Sequence, residues 1–284
     1  MLGRRPLYRL LRRSRAGIAG AVLFLALCIV AMLAPLLSPF DPLQQNLLSP
    51  LRAPGAVVGN RKHMLGTDQF GRDVLSRLMS GLRVSLAVAG LGVVGSAILG
   101  SVVGIIAGAN GGGVDSVLMR AVDFQLSIPF LLIAILWVAF VGSSLVDIIA
   151  VVVLNGWVLF ARVVRGKSLS VRASEFVLAA TALGASPIRI VVKHMTPQVF
   201  PEIAIVATFL VGRAVLLESS LGFLALGIPP PTPTLGSMIS EGRNYLSSAW
   251  WLTTFPGAAI TLFVLAVNLL GDGLRDALDP KLKL

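Results

Sequence analysis

Few residue constellations in this sequence could do chemistry. Gly166, Lys167 and Ser168 spell the end of a phosphate-binding loop, in which backbone N–H groups cradle phosphates and the lysine reaches them. Such a loop also needs a glycine at position 161 after a strand. Position 161 is alanine, and a long apolar run precedes the triplet. His63 and His194 have no partners at metal-ligand spacing, and Cys28 stands alone inside an apolar run. Neither a metal site nor an internal disulfide is expected. No Ser/His/Asp set or carboxylate pair suggests an enzyme. Arg213 and Glu218 are charges within an apolar run. A charge at a helix centre costs about 2.5–3.5 kcal/mol on insertion scales, so such residues face a bundle interior or water. The two lie about 140° apart round a helix and are not an ideal mutual pair. In one reading one or both have a role in the bundle interior or against water. In the other Arg213 snorkels to the interface or pairs with an acid on another helix.

The elements that position these residues follow from composition. The 284 residues are 56% hydrophobic and 13% charged, with mean hydropathy +0.87. Soluble domains average about 25% charged residues, so an integral membrane protein is expected. The net charge of +11 does not point to nucleic acid, because the charges fall between apolar runs rather than on one basic face. Runs at 17–37, 84–108, 127–141, 145–164, 201–228 and 250–271 read as six spans. The first is too long for the apolar core of a cleaved signal peptide, which has about 7–15 residues. Basic residues favour segments that lie inside if both ends are cytoplasmic, from the six arginines between Arg4 and Arg15 to Lys281 and Lys283. The chain divides into a basic tail, first span and extracytoplasmic loop at 1–83, and a five-helix core at 84–284 with a cytoplasmic loop at about 165–199. Residues 109–126 read as a loop around a glycine triplet. Trp250 and Trp251 suit an interfacial anchor. Ser96, Gly100, Gly104 and Gly108 form a small-residue stripe for close helix packing, within the chain or against a second membrane subunit.

The loop holds SEFVLAATALGASPIRIVVKHMTP at 174–197. Ser174 suits an N-cap, and Glu175 places a negative charge in the first turn. Gly184 suits the residue after a helix end. Ser186 and Pro187 suit a second start, and Pro197 a stop. Two short helices should meet at Gly184, with Ala179, Ala180 and Ala185 leaving room for another protein. The competing reading is an interfacial pair lying on lipid, with Arg189 and Lys193 beside apolar neighbours.

This segment resembles the coupling loop of bacterial ABC importer permeases, whose pattern is Glu-Ala-Ala, three residues, Gly, nine residues, Ile-x-Leu-Pro. Ala179, Ala180, Gly184 and Pro197 match. Leu178, His194 and Thr196 depart, and Glu175, one turn before Leu178, is expected to supply part of the missing charge. LGTDQFGRDVLSRL, GGGVDSVLMRAVD, ESSLGFLALGIPPPTPTLGSM and FPGAAITLFVLAVNLLGDGLRDALDP also resemble the C-type permease of oligopeptide, dipeptide and nickel importers. The resemblance implies an all-α, six-span type I importer fold in the bacterial inner membrane. It implies a homologous B-type permease, two ATPase subunits that bind ATP and Mg, and an extracytoplasmic binding protein as partners. No cofactor is expected in this chain. Glu175, Ala179, Ala180, Gly184, Ala185, Ser186 and Arg189 would contact an ATPase, Glu218 would belong to a family segment, and Glu218, Arg213 or both would line the translocation path. An ion-coupled secondary transporter and a non-transport scaffold are the alternatives.

Overall fold

Apolar runs of about 20 residues close their backbone hydrogen bonds internally as helices, the solution that lipid requires. The computed structural model describes residues 15–278, so the arginines before Arg15, and Lys281 and Lys283, lie outside the described residues. Its helices are α1 (Arg15–Met32), α2 (Ala34–Leu37), α3 (Val74–Asn110), α4 (Gly112–Ser127), α5 (Phe130–Phe140), α6 (Leu145–Arg172), α7 (Glu175–Ala182), α8 (Pro187–Ile190), α9 (Thr196–Phe223), α10 (Leu235–Gly242) and α11 (Trp251–Leu278). A two-residue hairpin, β1 (Val57–Val58) against β2 (Arg61–Lys62), lies in the first outer segment. Among the described residues five helices are long and apolar enough to cross a membrane. The pair α4 and α5, bent by 87°, makes a sixth if counted as one span.

Four expectations about where the helices begin and end need correction. The second span begins at Val74, ten residues before the apolar run, because Asp73 caps it by accepting the Ser76 N–H at 2.8 Å. The glycine triplet is not a loop but the start of α4: Gly111, with φ +66°, turns the chain and Gly112 opens the helix. The third span, expected at 127–141, does not start at Ser127, which ends α4; α5 starts at Phe130. Ile128, before Pro129, is driven out of the helical region to φ −100° and ψ 128°, and the helix breaks there. Pro197 does not end the second short helix. A π-turn at Val191–Met195 carries α8 into α9, and Pro197 sits in the first turn of α9, where its missing N–H costs least.

The core is a seam between α3 and α6. Gly100, Gly104 and Gly108 lie on that seam and face α6 of the same chain. A Cβ at Gly104 would stand 2.6 Å from the Ala161 carbonyl, and one at Gly108 2.4 Å from the Ser168 Cβ. Phe160, Val88 and Ile148 are fully buried beside it. Helix α1 packs on α11, with Phe24 and Phe263 rings 5.8 Å apart. Trp251 is not a lipid anchor: it is buried under the first outer segment and donates its Nε1–H to the Thr67 carbonyl at 3.2 Å. Trp250 remains exposed.

Candidate functional site

The 174–197 corner stands on the end of α6. Helix α7 runs one way and α8 returns, and the reversal is a Schellman turn. Gly184 adopts φ +82°. Its N–H bonds to the Thr181 carbonyl at 2.9 Å, and the Ala185 N–H to the Ala180 carbonyl at 3.0 Å. Glycine carries this conformation without a Cβ penalty. Ser174 and Ser186 occupy the N-cap positions, but neither side chain caps its helix. The Ser174 hydroxyl instead donates to the Val171 carbonyl at 2.5 Å, anchoring the corner to α6.

The corner has two faces. Its underside buries Val177 and Met195 against Val171 of α6, with Ala109 of α3 packed alongside. That apolar contact fixes the corner to the long helices. Its tip exposes large apolar groups, with Leu183 89% and Ile188 77% exposed and Leu178 and Val192 also open. Glu175, Ala179, Gly184, Ser186 and Arg189 are exposed around them, and Ala180 and Ala185 are half-buried. Glu175 and Leu178 share the exposed side of α7. A cleft of about 580 Å³ opens between this corner and the ends of α3 and α6, bounded by Ile105, Ala109, Arg172, Leu178 and Val191. Contiguous exposed apolar surface with a polar rim marks an interaction site.

Arg213 and Glu218 do not come together. Arg213 is exposed on the outside of α9. Glu218 is fully buried inside the subunit. Its Oε2 accepts the Ser85 hydroxyl at 2.8 Å, and Ser85 in turn accepts the Leu235 N–H at 3.3 Å. The carboxylate thus ties α9, α3 and the start of α10 together. The Gly166, Lys167, Ser168 triplet lies within α6. Lys167 pairs with Glu202 at 2.6 Å, and Ser168 is buried behind Gly108.

A second cluster lies at the opposite end of α3. Asp68 accepts from Arg72 Nε at 2.6 Å and from Arg77. Glu241 of α10 accepts from Arg72 at 2.7 Å, Arg77 at 2.9 Å and Gln69 at 3.0 Å. Burial pushes the Glu241 carboxyl up, but the hydrogen bonds and charges of Arg77 and Arg72 outweigh it and hold it below the usual glutamate range. His63 Nδ1 bonds Asp73 at 2.8 Å and its ring stacks on Phe40 at 4.4 Å. These contacts fasten the first outer segment to α3 and α10. The Asp68–Arg72 spacing of four was visible in the sequence, whereas Glu241 is more than 160 positions from its arginines.

A bundle of helices long and apolar enough to cross a membrane, with one exposed apolar corner, describes a multi-pass membrane protein. Residues 100–284 match the family described as "Binding-protein-dependent transport system inner membrane component". Residues 7–54 match the "N-terminal TM domain of oligopeptide transport permease C". The chain is 38% identical over 279 residues to the dipeptide transport system permease protein DppC of Alkalihalophilus pseudofirmus, covering 98% of this chain and 90% of that one. It is 36% identical to the DppC of Haemophilus influenzae, covering 96% of this chain and 92% of that one. The fold resembles a chain of the MetNI methionine ABC transporter in an inward-facing conformation, with TM-score 0.60 and 20% identity over 72% of this chain and 97% of that one. The chain belongs to the binding-protein-dependent transport system inner membrane component family. It is a permease subunit of the type I ABC importer fold, which sets aside the ion-coupled carrier and the scaffold.

Proposed function

We propose that this chain forms half of the translocation pathway of an ATP-driven importer of dipeptides or short peptides in the bacterial cytoplasmic membrane. A homologous B-type permease supplies the other half. Two ATPase subunits holding ATP and Mg bind the cytoplasmic side, and an extracytoplasmic binding protein delivers cargo. The 174–197 corner is the coupling element: Glu175, Ala179, Ala180, Gly184, Ala185, Ser186 and Arg189 meet an ATPase cleft. The observation that carries this reading is the corner's two-faced build, with a buried underside fixed to α6 and an exposed apolar tip. A rigid lever transmits displacement to the spans, whereas a floppy loop absorbs it. The peptide cargo rests on the relatives' names. Glu218 serves the pathway from inside the subunit by setting α10 against α3 and α9, and Arg213 lines the pathway from the exposed face of α9.

The test is reconstitution of the assembled complex with labelled dipeptide. Uptake should require ATP and the binding protein. Ala180→Arg at the corner should abolish uptake while leaving the permease pair assembled. Uptake by this chain under an ion gradient without nucleotide would refute the proposal.

A further inference from the structure

A second feature lies at the outer ends of the first two spans. The turn at Leu33 breaks the first span, and α2 brings Ala34–Leu37 beside α3. Between them a cavity of about 460 Å³ is lined by Ser38, Phe40, Asp41, Arg61, Ser80 and Arg83, with three prolines completing an apolar wall. Arg83 immediately precedes the apolar run of α3, which sets the cavity at headgroup depth. Arg61 and Arg83 are exposed, and neither makes an ion pair among the described residues. The Arg61 guanidinium lies 5.6 Å from the Phe40 ring, which holds it at the cavity's edge. The Ser38 and Ser80 hydroxyls have no hydrogen-bond partner among the described residues, whereas Asp41 is already engaged by the Leu43 N–H at 2.8 Å.

Two guanidinium groups, two free hydroxyls and one carboxylate among the lining groups leave a net positive, donor-rich cavity with an apolar wall. Guanidinium pairs match phosphate oxygens in geometry as well as charge. Next to the lining residues Ala34 and Pro35, the apolar Met32, Leu33, Leu36 and Leu37 are exposed. We infer that this cavity binds the phosphate of an anionic phospholipid of the outer leaflet, with the glycerol backbone and upper acyl chain against the proline wall. Arg83 and Arg61 grip the phosphate, and Ser38 and Ser80 donate to its remaining oxygens.

The full chain, delipidated in a phosphorus-free detergent, is titrated with short-chain phosphatidylglycerol, with the matching diacylglycerol and with inorganic phosphate, and bound ligand is counted by native mass spectrometry. Phosphatidylglycerol should bind in about one equivalent, and the other two at least tenfold more weakly. Two guanidinium contacts at a membrane surface predict about thirtyfold weaker lipid binding by the R61Q/R83Q variant. Both arginines are exposed, so folding should survive, as the circular dichroism spectrum and elution volume will show. Arg83→Lys, which keeps the charge but loses the fork, should fall between wild type and Arg83→Gln. Equal lipid binding by wild type and the double variant overturns the inference, as does diacylglycerol binding as tightly as phosphatidylglycerol. Inorganic phosphate binding as tightly as the lipid overturns the lipid assignment and leaves a free-phosphate site.

Discussion

Replacing Gly104 by alanine tests how the two longest-packed helices meet. A Cβ there would stand 2.6 Å from the Ala161 carbonyl oxygen and 2.8 Å from the Val164 Cβ, where ordinary contact begins near 3.4 Å. The obstruction includes backbone of α6, so no side chain can rotate away, and α3 and α6 must part by most of an ångström at that level. Overpacking of this kind costs about 1–3 kcal/mol. Gly90 lies on the same helix with nothing within 4 Å of its notional Cβ. Gly90→Ala should therefore be neutral or slightly stabilising, by up to about 1 kcal/mol from helix propensity. Thermal midpoints of the purified chain in one detergent, followed by the loss of the monodisperse elution peak, separate the two. Gly104→Ala should melt several degrees lower and Gly90→Ala should not. Equal midpoints for both variants would show that the seam is not closed at Gly104, and the packing argument would fail.

Glu241→Gln removes the charge shared by Arg72 and Arg77 and should destabilise the outer segment by about 1–3 kcal/mol, read as faster proteolysis of residues 38–73. The Glu241 carboxyl is held below its ordinary value of 4.5 in the folded state, so its stabilisation is present above that value and is lost as pH falls through the depressed one. The wild type should therefore lose its advantage over Glu241→Gln on acidification, and a difference that persists or grows at low pH would contradict this. Glu218→Leu strips Ser85 of its buried acceptor and should cost about 1–3 kcal/mol in thermal stability, whereas Glu218→Gln, which can still accept that hydrogen bond, should cost much less; equal costs would sink the tether. Glu175→Gln should lower peptide-stimulated ATP hydrolysis in the assembled complex without loss of assembly, and an unchanged rate would remove Glu175 from the docking surface.

Much of the fold was legible because lipid imposes a simple rule: a run of about 20 apolar residues must be a helix. What the hydropathy of 84–108 could not reveal was the polar first part of α3, since its start is set by the Asp73 cap rather than by apolar content. The bend at Ile128 is a local effect of Pro129 on its predecessor, legible in principle, but Asp115, Arg120 and Asp123 made the helix before it read as a loop. Pro197 misled because a proline in the first turn of a helix and a proline that ends one look alike in sequence. The Gly184 reversal was readable, because a positive φ after a helix made of strong formers calls for glycine. The Glu241 cluster was not, because its partners meet only after the spans pack. The burial of Glu218 behind Ser85 was not legible either, because it depends on where α10 falls, and no local pattern encodes that.

The central claim is that the Gly184 corner is gripped by an ATPase. A single cysteine at Ser186, in a chain whose Cys28 is replaced by serine, should cross-link to the ATPase in the purified complex, with a yield that changes on adding ATP. It should also resist membrane-impermeant thiol reagents applied from outside the cell. Labelling from outside, or a corner that cross-links to no nucleotide-hydrolysing subunit, would contradict the account.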